Sequence, residues 1–90
     1  EALLLEIEGR VDTNTAPLLQ QAILNAFQKS NHVVLNFENV PYISSAGLRA
    51  LLIGQKTANS KKGMMELVHV APAVVSILEQ TGFIEILTVV

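Results

Sequence analysis

Two adjacent serines, Ser44 and Ser45, are the residues of this chain best placed to take part in chemistry. They stand where the apolar run Val33-Val34-Leu35-Asn36-Phe37 and the turn Glu38-Asn39-Val40-Pro41 give way to a helical pattern, Ala46-Gly47-Leu48-Arg49-Ala50-Leu51-Leu52. Either hydroxyl suits the N-cap of that helix. Unsatisfied backbone N–H groups and the positive end of the helix dipole gather at such a point, so a phosphate carried there is well tolerated. Plain capping asks nothing more of the two serines than that one of them accept a backbone hydrogen bond.

Other chemistries are poorly provided for. His32 and His69 are the only imidazoles and have no metal-ligand spacing such as His-x-x-x-His. The serines lack the Gly-x-Ser-x-Gly elbow of a hydrolase nucleophile. No glycine-rich phosphate cradle is present either. The expectation is a protein that is not an enzyme and uses no metal or cofactor.

The elements that must position the serines follow from periodicity. Ala2 to Ile7 reads as a strand ended by Gly9, and Arg10-Val11 adds a short second one. Thr13-Asn14-Thr15 supplies N-cap candidates, and Pro17 suits a first helical turn. Leu19, Ile23, Ala26 and Phe27 then recur at helical spacing, with Gln21, Asn25 and Gln28 facing away. The apolar run from Val33 to Phe37, interrupted only by Asn36, predicts a strand buried on both faces. A second helix from about Ala46 to Ser60 stops before Lys61-Lys62-Gly63, and Met64 to Val70 is the next strand. Pro72 opens a third helix carrying Val74, Ile77, Leu78 and Thr81 on one side, with Gly82 as its stop. Ile84 to Val89 is read as the last strand. Strands alternating with helices at these spacings predict an α/β domain with a largely parallel sheet.

The second helix divides into three faces at 100° per residue. Leu48, Leu51, Leu52 and Gln55 share the one turned to the sheet. Gly47, Ala50, Gly54 and Ala58 form a small-residue stripe. Each glycine costs a helix about 0.8–1 kcal/mol relative to alanine, so a pair seven residues apart predicts a close-packed neighbour, most simply another element of the same domain. Ser45, Arg49, Ile53 and Lys56 remain for solvent. An isoleucine among cations on an exposed face points to a protein contact, and those four residues are the expected docking surface.

Composition sets the limits. Ninety residues make one domain able to bury a core without metals or disulfides. Half the residues are apolar and few are aromatic, so that core is aliphatic. There is no cysteine, no apolar run long enough to span a membrane and no signal-peptide pattern. A soluble, cytoplasmic domain is the expectation, with residues missing upstream of Glu1. The net charge of −2 argues against nucleic acid as a partner. Four of the six basic residues, Arg49, Lys56, Lys61 and Lys62, nevertheless lie on or just after the helix that the serines begin.

Gly9-Arg10-Val11-Asp12 before the first helix, Val33 to Phe37, Tyr42-Ile43-Ser44-Ser45-Ala46-Gly47-Leu48-Arg49, and Thr81-Gly82-Phe83 before the last strand form a set whose order and spacing resemble the STAS family. The likeness is greatest to bacterial anti-sigma factor antagonists and covers the chain as a single domain, residues 1–90. It implies a small α/β domain: a mixed, mostly parallel sheet of four to five strands with three main helices, wound as a βα superhelix. It also implies a partner switch. The unphosphorylated antagonist binds an anti-sigma factor that is also an ATPase-type serine kinase, and so frees the sigma factor. Phosphorylation of a serine at the start of the second helix ends the binding, and a PP2C-type phosphatase reverses it. Many members read Asp-Ser-Ser-Gly-Leu at the motif. Aligned on Gly47, Ser44 takes the aspartate position, Ser45 the first serine and Ala46 the second. With no serine at the second position, the resemblance implies Ser45 as phosphate acceptor, the alternatives being Ser44 or no phosphorylation; taken with the exposed face of the second helix, it makes Ser44, Ser45, Gly47, Arg49, Ile53 and Lys56 the expected partner-binding residues. The same family includes regulatory modules for polysaccharide or motility outputs and domains attached to sulfate-type transporters, which are the alternative roles.

Overall fold

The computed structural model describes all residues from Glu1 to Val90. Strands β1 (Ala2–Glu8), β2 (His32–Asn39), β3 (Met64–Val68) and β4 (Thr88–Val89) alternate with helices α1 (Ala16–Lys29), α2 (Ser45–Ser60) and α3 (Pro72–Thr81). The sheet order is β1-β2-β3-β4, and every pairing is parallel. Each crossover thus moves the chain one place along the sheet. Right-handed connections put the helices on one face, which gives the βα superhelix.

The sheet alternates accordingly. Val33, Leu35 and Phe37 of β2 and Met65 and Leu67 of β3 are buried, with Leu3, Leu5, Ile7 and Val89 packed against the same core. The opposite side is open. Leu4 and Met64 are exposed there, Val34 is half-buried, Asn36 Nδ2 donates to Glu6 Oε1 (3.1 Å), and His32 Nε2 lies 2.7 Å from Glu66 Oε1. The expectation that β2 is buried on both faces is therefore corrected: all helices lie on one side, so only alternate residues are covered.

Two further boundaries differ from the expected ones. Arg10-Val11 is no strand: Val11 makes a single parallel bridge to Ile43. The segment from Ile84 is not extended at first either. Gly82, with φ of 81°, ends α3 in the left-handed region and leads into a 3-10 turn, Phe83–Glu85. Only Thr88 and Val89 pair with β3, at Glu66 and Leu67.

The helices fold as their patterns dictate. On α1, Leu19, Ile23, Ala26 and Phe27 are buried while Gln21, Asn25 and Gln28 are exposed. On α2 the small-residue stripe is wholly buried. A Cβ on Gly54 would stand 2.8 Å from both Ile23 Cγ2 of α1 and Met65 Sδ of β3, so the missing side chain is what lets α2 settle between them. The close neighbour predicted for the glycines belongs to the domain itself.

Candidate functional site

Ser44 is the N-cap of α2. Its backbone is extended (φ −93°, ψ 175°) and its Oγ accepts from the Gly47 N–H at 3.3 Å. Ser45 is the first helical residue; its side chain is exposed and makes no hydrogen bond within the chain. Of the two N-cap candidates Ser44 is thus the one that caps, and the Ser45 hydroxyl is not engaged.

The loop that presents them is tied down on its other side. Gly9 N–H donates to Asn39 O (2.9 Å), Val11 N–H to Tyr42 O (3.0 Å) and Ser44 N–H to Val11 O (2.8 Å). The connections after β1 and after β2 are thus laced together, and the first turns of α1 and α2 stand side by side beyond the C-terminal ends of those strands. Gly47 sits over this lacing. A Cβ there would come within 2.6 Å of Ile43 Cγ1 and 2.7 Å of Val11 Cγ1. Its role is therefore internal packing, and being buried it offers a partner no surface of its own.

Asp12 shapes the other loop. Its Oδ1 accepts from the N–H groups of Asn14 (3.0 Å) and Thr15 (3.1 Å), and Thr15 Oγ1 accepts from the Asp12 N–H (2.9 Å) while donating to Arg10 O (2.8 Å). The Thr15 backbone N–H above all, helped by that of Asn14, holds the Asp12 carboxyl below its ordinary value of 3.8. Thr15, at the N-cap of α1, makes no side-chain cap bond of its own. The Arg10 guanidinium lies over the Tyr42 ring at 4.4 Å, a second tie between the two loops.

Ser45, Arg49, Ile53 and Lys56 are all exposed on one side of α2, as the spacing predicts. Sequence reasoning missed what faces them. Thr13 from the turn before α1 and Ala16, Pro17, Gln20 and Gln21 from its start join Ala46, Arg49 and Ile53 around an open groove of about 410 Å³. The nearest hint was the glycine stripe, which reports that another element approaches α2 without saying which. The two histidines are not brought together: His32 opens β2 and pairs with Glu66, whereas His69 follows the far end of β3. No group of three potential metal ligands forms, and no helix is long and apolar enough to cross a membrane.

The chain is similar to known proteins in sequence and in fold. The STAS domain model matches residues 1–90. An anti-sigma F factor antagonist from Paenibacillus polymyxa is 28% identical over 89 residues, covering 97% of this chain and 76% of the relative. Among solved structures, a candidate anti-sigma factor antagonist from Thermotoga maritima superposes with a TM-score of 0.89 at 21% identity, covering 98% of this chain and 77% of the other. The Bacillus anti-sigma factor antagonist SpoIIAA, solved unphosphorylated and phosphorylated, gives TM-scores of 0.74 and 0.73 at 20% and 18% identity. These cover all of this chain and 79% and 83% of SpoIIAA. Matched from end to end by the family's sequence pattern and sharing the fold of its antagonists, the chain belongs to the STAS domain family.

Proposed function

We propose that this domain is an anti-sigma factor antagonist acting in a phosphorylation-controlled partner switch. Unmodified, it binds an anti-sigma factor that is also an ATPase-type serine kinase, through Ser45, Arg49, Ile53 and Lys56, and so releases the sigma factor. Transfer of a phosphate to Ser45 Oγ ends the binding, and a PP2C-type phosphatase restores the hydroxyl. Ser44 and Gly47 hold the site in shape from beneath. An exchange that consumes ATP belongs to the cytoplasm. The domain catalyses nothing itself.

The observation that carries this reading is the division of labour between the serines. Ser44 Oγ is engaged by Gly47 N–H, whereas Ser45 Oγ is exposed and unbonded one residue further into the helix. A relative of the same fold that is known in a phosphorylated form supports it. The energetics suffice without refolding. Phosphoserine brings about −1.5 to −2 charge at pH 7, and a hundredfold loss of affinity needs only about 2.7 kcal/mol. Trapping an unpaired dianion in an interface costs at least that much.

The test is to incubate the domain with each ATPase-type serine kinase of its own cell and ATP, and to weigh the intact product. Wild type and Ser44→Ala are expected to gain one phosphate and Ser45→Ala none. Phosphate on Ser45→Ala, or on no form with any such kinase, would overturn the assignment.

A further inference from the structure

The groove between the N-terminal halves of α1 and α2 has a lopsided chemistry. Ala16, Ala46 and Ile53 are its apolar lining, Thr13, Gln20 and Gln21 give it hydroxyl and amide groups, and Arg49 is its one charged side chain. Lys56, exposed one turn past Ile53 on α2, extends the positive side. No carboxylate lines it. The nearest in sequence, Asp12, is folded back onto the N–H groups of Asn14 and Thr15. Ile53 is 37% exposed on a helix whose Leu48 and Leu51 are buried and whose Leu52 is half-buried. An apolar lining beside a guanidinium is complementary to an apolar side chain flanked by a carboxylate.

We propose that this groove receives an acidic segment of the kinase partner, so that the partner reads the first turn of α1 as well as the exposed side of α2. The inference rests on the partner switch proposed above and adds to it a second recognition element and the sign of the partner's charge. An apolar side chain of the partner seats against Ala16, Ala46 and Ile53, and its neighbouring carboxylate pairs with Arg49. Such an arrangement also says why a phosphate at Ser45 is disruptive. Ser45 lies four residues before Arg49 on the same helix face, so the new anion competes for that guanidinium and repels the incoming carboxylate.

The α1 side provides the discriminating test, because its residues belong to a different element from the serines. Gln20→Glu and Thr13→Glu place a carboxylate in the groove without touching α2, and Gln20→Lys places a cation there. Affinity for the kinase that phosphorylates Ser45 is measured at low and high salt, with the thermal midpoint of each variant confirming that it folds. The expected result is a loss of about tenfold or more for each glutamate variant, equal or tighter binding for Gln20→Lys, and binding that weakens as salt rises. If the α1 variants bind like wild type while Ile53→Asp does not, the partner reads α2 alone and the groove assignment falls, with the switch itself intact. If Gln20→Glu binds more tightly and Gln20→Lys more weakly, the segment is basic and the assignment falls as well. If wild type binds no kinase of this class, the switch fails and this inference with it.

Discussion

Val11 and Ile43 form a single parallel bridge that joins the loop after β1 to the loop after β2. Through it the bonds Val11 N–H to Tyr42 O (3.0 Å) and Ser44 N–H to Val11 O (2.8 Å) fix where α2 begins, and hence where the serines point. Gly47 closes over both residues, since a Cβ there would meet Ile43 Cγ1 at 2.6 Å and Val11 Cγ1 at 2.7 Å. Both neighbours are β-branched and buried, so neither gives way easily.

Gly47→Ala is accordingly a harsh substitution for so small a change. Overpacking costs about 1–3 kcal/mol, and the gain in helix propensity returns about 0.8–1 kcal/mol. Two contacts below 3 Å put the overpacking at the upper end of that range, so a net loss of about 2 kcal/mol is expected, read as a lower urea midpoint with unchanged slope. A midpoint equal to wild type would mean that the two loops are not held together as described.

The two serines separate by what they do for stability. Ser44→Ala removes the N-cap acceptor for Gly47 N–H and is expected to cost about 1 kcal/mol. Ser45→Ala removes an exposed, unbonded hydroxyl and is expected to change stability by less than about 0.5 kcal/mol. Denaturation of the two variants side by side checks the assignment, and a reversed ranking would contradict it.

Asp12 makes the loop before α1 sensitive to acid. Its carboxyl titrates below the ordinary value of 3.8 because the N–H groups of Thr15 and Asn14 bind the charged form. A group depressed in the folded state contributes stability that is complete above its unfolded value and is lost as pH falls through its folded one. The loss due to Asp12 therefore begins near pH 3.8 and runs to lower pH. Asp12→Asn, which keeps an acceptor oxygen, is expected to remove that component. Amide shifts of Asn14 and Thr15 followed through an acid titration show whether it does.

Much of this was legible in the sequence because it depends on short-range pattern. The buried stripe of α1, the three faces of α2 and the stop at Gly82 are set by residues within a turn or two of one another. Other features depend on what arrives from elsewhere in the chain. In Val33 to Phe37 only the polar Asn36 hints that the second face stays open, for that is decided by the handedness of three crossovers. The shortness of β4 follows from the 3-10 turn after Gly82, which uses up residues that are apolar enough to pass for strand. The groove needed α1 to be laid beside α2, a contact that Gly54 signals without identifying its partner.

Gln55 is a residue whose burial was anticipated and whose cost was not. It is 8% exposed, its Nε2 donates to Asn59 Oδ1 at 3.0 Å, and its Oε1 has no partner. An unsatisfied buried acceptor costs about 1–3 kcal/mol. Gln55→Met, similar in size and free of that oxygen, is expected to raise stability by about 1 kcal/mol in urea denaturation, whereas a loss would show that the oxygen is satisfied in solution.

The central claim is that a phosphate on Ser45 releases a docked kinase. Its most direct measurement is the affinity of one ATPase-type serine kinase for the unmodified domain and for the same domain carrying phosphate at Ser45. A weakening of about a hundredfold, absent from Ser45→Ala treated in parallel, is the predicted result. Equal affinity of the two forms would contradict it.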